Sequence, residues 1–194
     1  LKTEKDKNVI SSILYGIGHN NDKLTEKQID IVCSFKNHKS VNVRHGLVSA
    51  ILAIDKTKPI NTLIQLTKDK DSDIRDWATF GIGTQIETDN LLIRETLWER
   101  TNDSDENTRF EAIIGLAKRK DEKIKDVLKN ELQKINENGS LILEAIEELN
   151  DKEFIALIEE QIKKNKVLKK VNEEWLVETL EKLKKLNKKT NAKK

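Results

Sequence analysis

Residues 69–83 read DKDSDIRDWATFGIG and residues 103–118 read DSDENTRFEAIIGLAK. Each places paired acids ahead of an arginine, Arg75 or Arg109, and small or apolar residues three, six and seven places beyond it. Those residues are Ala78, Gly81 and Ile82 in one stretch and Ala112, Gly115 and Leu116 in the other. A further copy at 40–54, SVNVRHGLVSAILAI, sets Leu47, Ala50 and Ile51 at the same offsets from Arg44. The offsets trace one face of a helix. Arg44 to Arg75 is 31 residues and Arg75 to Arg109 is 34. Such a period marks a supersecondary unit stacked on copies of itself, because one helical pair cannot bury its own apolar stripe.

Two worn copies flank these three. Ile10 opens ISSILYGIGH 34 residues before Arg44, with Ile13, Gly16 and Ile17 at the stripe positions, and Ile142 opens ILEAIEEL 33 residues after Arg109. Between the copies lie second amphipathic segments at Glu26 to Phe35, Ile60 to Thr67, Leu91 to Thr101 and Ile124 to Ile135. Their apolar residues fall at helical spacing, as in Leu92, Thr96 and Leu97 or Ile124, Val127, Leu128 and Leu132. Each unit is therefore expected to be a helix, a short acidic turn and a second helix. Lys58-Pro59 can open a helix, and Asn138-Gly139-Ser140 can end one and cap the next. Beyond Asp151 the repeat loosens into a pair of segments suited to sealing the end of the stack.

Composition agrees with an all-α chain. One Pro and seven Gly in 194 residues leave little punctuation for hairpins. The net charge is +2, but residues from Lys163 onward carry +8, which leaves −6 on residues 1–162. A nucleic-acid groove would want the positive charge on the repeats, so nucleic acid is not the expected partner. Cys33 is the single cysteine and forms no internal disulfide. No apolar run approaches a membrane span, and the N-terminus LKTEKDKN lacks an apolar signal region, so a cytoplasmic setting is expected. The chain holds no Met, as a trimmed product would. One domain over 1–187 is expected, followed by a basic disordered tail at 188–194.

The six-residue spacing from Asp69 to Arg75 and from Asp103 to Arg109, with Arg-x-x-Ala and the small-residue stripe, resembles HEAT-like repeats. The likeness is to the short-turn kind also found in phycobilin lyases. It covers about Ile10 to Leu149, strongest in the third and fourth copies and weakest in the fifth, where Ile142 replaces the arginine. The resemblance implies a right-handed α-solenoid of about five helix pairs with a C-terminal capping pair. HEAT-like families host scaffolds, inhibitors, lyases and DNA-repair enzymes, so the fold warrants no activity by itself.

The acids and arginines of the repeat read as architecture: Asp capping the second helix, Arg bonding to the turn or to the neighbouring unit. A different column lies two, five and nine residues past the anchor, on a helix face away from the core stripe. It holds Ser12, Tyr15 and His19; Gly46, Ser49 and Ala53; Trp77, Phe80 and Thr84; Glu111, Ile114 and Lys118; Glu144 and Glu147. If the geometry is HEAT-like, this column is the concave wall. Tyr15, Trp77 and Phe80, with Phe110 one place off the column, are large for positions that need no core filler and suit a binding hot spot. Packing against the adjacent repeat is the alternative for Trp77 and Phe80.

No cofactor or metal site is expected, since His19, His38 and His45 lack ligand spacing and no nucleophile or phosphate-loop motif occurs. Cys33 reads as a buried small hydrophobe. The expectation is a non-enzymatic scaffold or inhibitor that clasps another protein. Tyr15, Trp77, Phe80, Phe110 and Ile114 would form the binding face, with Asp76, Glu111, Glu144 and Glu147 steering a basic partner. By analogy with small free-standing HEAT-like proteins, that partner could be a toxin neutralised by an immunity protein. The alternative is a nucleic-acid-binding protein or DNA glycosylase-type enzyme in which Asp76 beside Trp77 stabilises a cationic centre. A tetrapyrrole lyase fares worse, having only Cys33 and scattered His residues to handle a bilin.

Overall fold

The computed structural model describes residues 1–191, with side chains to residue 186. Eleven α-helices and two short 3-10 turns occur among them, with no strand. The helices are α1 (Lys7–Gly18), α2 (Glu26–Cys33), α3 (Val41–Ile51), α4 (Thr57–Leu66), α5 (Ser72–Thr84) and α6 (Leu91–Arg100). They continue as α7 (Glu106–Lys118), α8 (Ile124–Gln133), α9 (Ser140–Leu149), α10 (Glu153–Leu168) and α11 (Glu173–Asn191). All four second segments expected from the sequence are helical, and Pro59 sits in the first turn of α4. The chain gathers into two compact units, Leu1–Ala112 and Ile113–Lys194. The part of the expected tail beyond Asn191 lies outside the described residues.

In the first unit the anchor-bearing helices stack in series, α1 on α3 and α3 on α5, while α2 packs on α4. Leu47, Ala50, Ile51, Ala78 and Ile82 are all fully buried. Close stacking needs the small residues: a Cβ on Gly46 would lie 3.1 Å from the Leu14 Cβ and 3.2 Å from the Ser11 carbonyl oxygen. Two registers differ from those expected. In α1 the buried residues are Ile10, Ser11 and Leu14, while Ile13 and Gly16 are exposed, a shift of one position. The shifted stripe is the face that α1 packs against α3. In α6, Ile93, Thr96 and Leu97 form the buried face and Leu92 is exposed.

The acid and arginine pattern is a ladder of buried ion pairs. Arg44 Nε and Nη2 donate to the Asp69 carboxylate at 2.7 and 2.8 Å. Arg75 repeats the arrangement on Asp103 at 2.9 and 2.8 Å. Each arginine also donates Nη1 to the turn preceding its own helix, Arg44 to the His38 carbonyl at 2.8 Å and Arg75 to that of Asp69 at 3.0 Å. The carboxylates in turn accept backbone N–H groups, Asp69 from Asp71 and Asp103 from Asp105. Burial alone would raise both carboxyls, yet the arginines and these N–H bonds hold Asp69 and Asp103 below the usual carboxylate range. Asp71 and Asp105 cap α5 and α7 through the Ile74 and Thr108 N–H groups. The capped helices are those carrying the arginines, not the second helices. Arg109 donates to the Asp103 and Ser104 carbonyls and lies 3.9 Å from Glu106.

In the second unit α8 packs on α9, and α11 covers both α9 and α10. Ile113, Leu116, Leu128, Ile146, Phe154 and Leu176 form its interior, and Ile142, standing where an arginine would be, is buried with them. Asn150 and Lys169 close α9 and α10 in the left-handed conformation usually given to glycine.

Candidate functional site: an aromatic row

The first unit carries one line of aromatic rings across three successive anchor helices. Tyr15 comes from α1, His45 from α3, Trp77 and Phe80 from α5. The Tyr15 hydroxyl and His45 Nδ1 share a hydrogen bond of 2.9 Å, with ring centroids 5.8 Å apart. His45 meets the Trp77 ring edge-on at 6.3 Å, and Trp77 meets Phe80 at 5.6 Å and 88°. Edge-to-face pairs at these distances hold one another in place. Trp77 nevertheless remains 44% exposed and Tyr15 39% exposed, and Phe80 is half-buried. Burial pushes the Tyr15 phenol upward, so it stays protonated and able to bond to the imidazole.

Asp76 stands next to Trp77 in the chain and is half-buried. One of its carboxylate oxygens is inaccessible to water and has no hydrogen-bond partner. Burial raises this carboxyl to about 6, helped by repulsion from Asp105 and Asp73. The charges that bear on it, Asp105 and Asp73, are like its own, so the carboxyl next to the exposed indole is left uncompensated.

The structure separates the remaining sequence-derived candidates. Phe110 and Ile114 are buried, at 5% and 2% exposure, so they fill the interior and do not line a surface. Burying such a side chain stabilises the fold by roughly 1.5–3 kcal/mol, which outweighs leaving it in water. Glu111 is half-buried on α7. Glu144 and Glu147 lie on α9 in the second unit, where Glu147 accepts hydrogen bonds from Thr179 at 2.7 Å and Lys182 at 2.8 Å. In the second copy the column itself is closed: Gly46 is buried against α1, and Ser49 lies within 3 Å of where a Gly18 Cβ would stand. His45, one place past its arginine, carries the row instead. Sequence reading missed it because the ring that meets Trp77 sits one offset earlier on its own helix.

Cys33 is a free, buried thiol, which burial pushes upward. Among the described residues no group of three His, Cys, Asp or Glu side chains could hold a metal ion, and no helix is long and apolar enough to cross a membrane.

Arginine-anchored helix pairs with glycine-spaced contacts are an arrangement similar to that of HEAT repeats. Residues 60–150 match the family model described as HEAT repeats. Protein YibA of Escherichia coli K12 is 40% identical over 126 residues, which cover 65% of this chain and 44% of YibA. The YibA sequence from Escherichia coli O157:H7 matches to the same extent. The chain thus spans under half the length of the curated relatives it matches. The X-ray structure of E. coli YibA superimposes with a TM-score of 0.56 at 28% identity, covering 94% of this chain and 78% of that one. An all-α helical-repeat solenoid is therefore the fold.

Proposed function

We propose that this chain is a non-enzymatic binding protein that clasps a basic partner protein on the row of Tyr15, His45, Trp77 and Phe80. The observation that carries the reading is the continuity of that row over three stacked helices, with its largest ring left exposed. Rings already held by one another lose little freedom on docking, so more of their contact energy appears as affinity. Charge supports a basic partner, since residues 1–162 carry −6 and Asp76 stands next to Trp77. In its finer form the reading is an immunity protein: the partner is a toxin, neutralised in the cytoplasm by having its working surface covered. Such inhibition asks for no chemistry of the binder, only for a firm complementary face.

Affinity capture from the native host with the intact chain and Trp77→Ala side by side tests this. A basic protein retained by the parent chain and lost by the variant supports the reading; equal retention contradicts it. Nucleic acid retained in place of protein, and released steeply as salt rises, would favour the nucleic-acid alternative.

A further inference from the structure

The second unit carries a groove between α9 and α11 with a volume of about 260 Å³, enough for one long side chain. Leu143, buried at 2%, forms its floor, and Trp175, 37% exposed, lines one side. Three carboxylates, Glu144, Glu147 and Glu178, line it against one ammonium group, Lys182. The charges do not cancel. Lys182 donates to Glu147 at 2.8 Å and also faces the charges of Glu144 and Glu178, so one ammonium is shared among three carboxylates. Glu144 makes no hydrogen bond or ion pair among the described residues, and burial, then Glu148 and Glu147, hold its carboxyl above the usual range. An apolar floor, an exposed indole and an excess of carboxylate over ammonium together describe a receptor for a side chain with a greasy stem and a cationic end.

We infer that this groove receives one arginine side chain from a basic segment of a partner protein, the stem along Leu143 and Trp175 and the guanidinium held by Glu144 and Glu178. Arginine fits better than lysine because its planar group stacks on an indole and offers forked donors to carboxylates. The inference shares with the proposed function only the partner's basic character, and it uses none of the aromatic-row residues.

The test is NMR titration of the full chain, following the three indole Nε1–H signals, with an end-blocked triarginine peptide. Tricitrulline, similar in shape and uncharged, serves as control. Saturable movement of the Trp175 signal with triarginine but not with tricitrulline is expected, with binding weakened roughly tenfold in the Glu144→Gln, Glu178→Gln double variant. A stationary Trp175 signal, equal response to tricitrulline, or unchanged binding in the double variant would overturn it. Trp77→Ala should leave the Trp175 response intact. If Trp77→Ala abolishes partner capture while triarginine fails to move Trp175, the groove inference falls and the aromatic-row reading stands.

Discussion

The Arg75 guanidinium and the Asp103 carboxylate form a two-pronged ion pair at 2.8 and 2.9 Å, 13% and 4% exposed at their side chains, that ties α5 to the turn ahead of α7. Arg75 depends on Asp103 for its charge partner, while Asp103 also accepts from Arg100 Nη1 at 2.9 Å and so keeps one partner when Arg75 is lost. Arg75→Ala is therefore expected to destabilise the chain by about 1.5–3 kcal/mol, the worth of its lost charged hydrogen bonds. Lys56→Ala, which breaks the exposed pair with Glu26, should cost no more than about 1 kcal/mol. Urea unfolding followed by circular dichroism measures both. Equal small losses would mean that the ladder does not hold the repeats.

Glycine substitutions should change sign along the chain. A Cβ at Gly46 would crowd the Leu14 Cβ and the Ser11 backbone, so Gly46→Ala should destabilise by about 1–3 kcal/mol. Gly16 has nothing within 4 Å and lies in α1, so Gly16→Ala should stabilise by up to about 1 kcal/mol through helix propensity. Thermal melts of the two variants check this, and loss of stability in both would contradict the packing of α1 on α3.

Acid should first help and then harm this fold. Asp76 titrates near 6 when folded, above its unfolded value, so its charged form costs stability that is recovered as pH falls from 7.5 through 6 toward 4. Asp69 and Asp103 are depressed when folded; their contribution is complete above the unfolded carboxylate value of about 3.9 and is lost as pH falls through their folded values. Asp76→Asn should remove the gain between pH 7.5 and 5 and stabilise the chain at pH 7.5 by on the order of 1–2 kcal/mol. Urea midpoints at pH 7.5, 5 and 3 for both proteins read this. An unchanged difference between them at pH 7.5 and 5 would contradict the assignment to Asp76.

The repeat was legible in the chain because its marks recur: an arginine with a small-residue stripe beyond it in three units, and an acid six places earlier in two of them, His38 holding that place before Arg44. The partners were less so. The six-residue spacing marks the carbonyl that Arg75 touches in its own turn, whereas the carboxylate it binds lies 28 residues ahead on the next turn. The aromatic row was half visible. Tyr15, Trp77 and Phe80 stand out by size, but His45 joins them only because neighbouring helices meet at staggered offsets, which a column drawn at fixed offsets cannot show. The same fixed column admitted Ile114, and size alone added Phe110 one place off it; both apolar side chains turn inward. At α1 the expected stripe is displaced by one position, to Ile10, Ser11 and Leu14.

The central claim is that the exposed indole of Trp77 anchors a partner protein. Calorimetric titration of the captured basic partner into the parent chain, Trp77→Ala and Leu91→Ala measures it, Leu91 being 71% exposed on α6 and away from the row. Weakening by about 2 kcal/mol, some thirtyfold, is predicted for Trp77→Ala, with Leu91→Ala unchanged and both variants retaining full helicity. Equal affinity for the parent chain and Trp77→Ala would contradict the account.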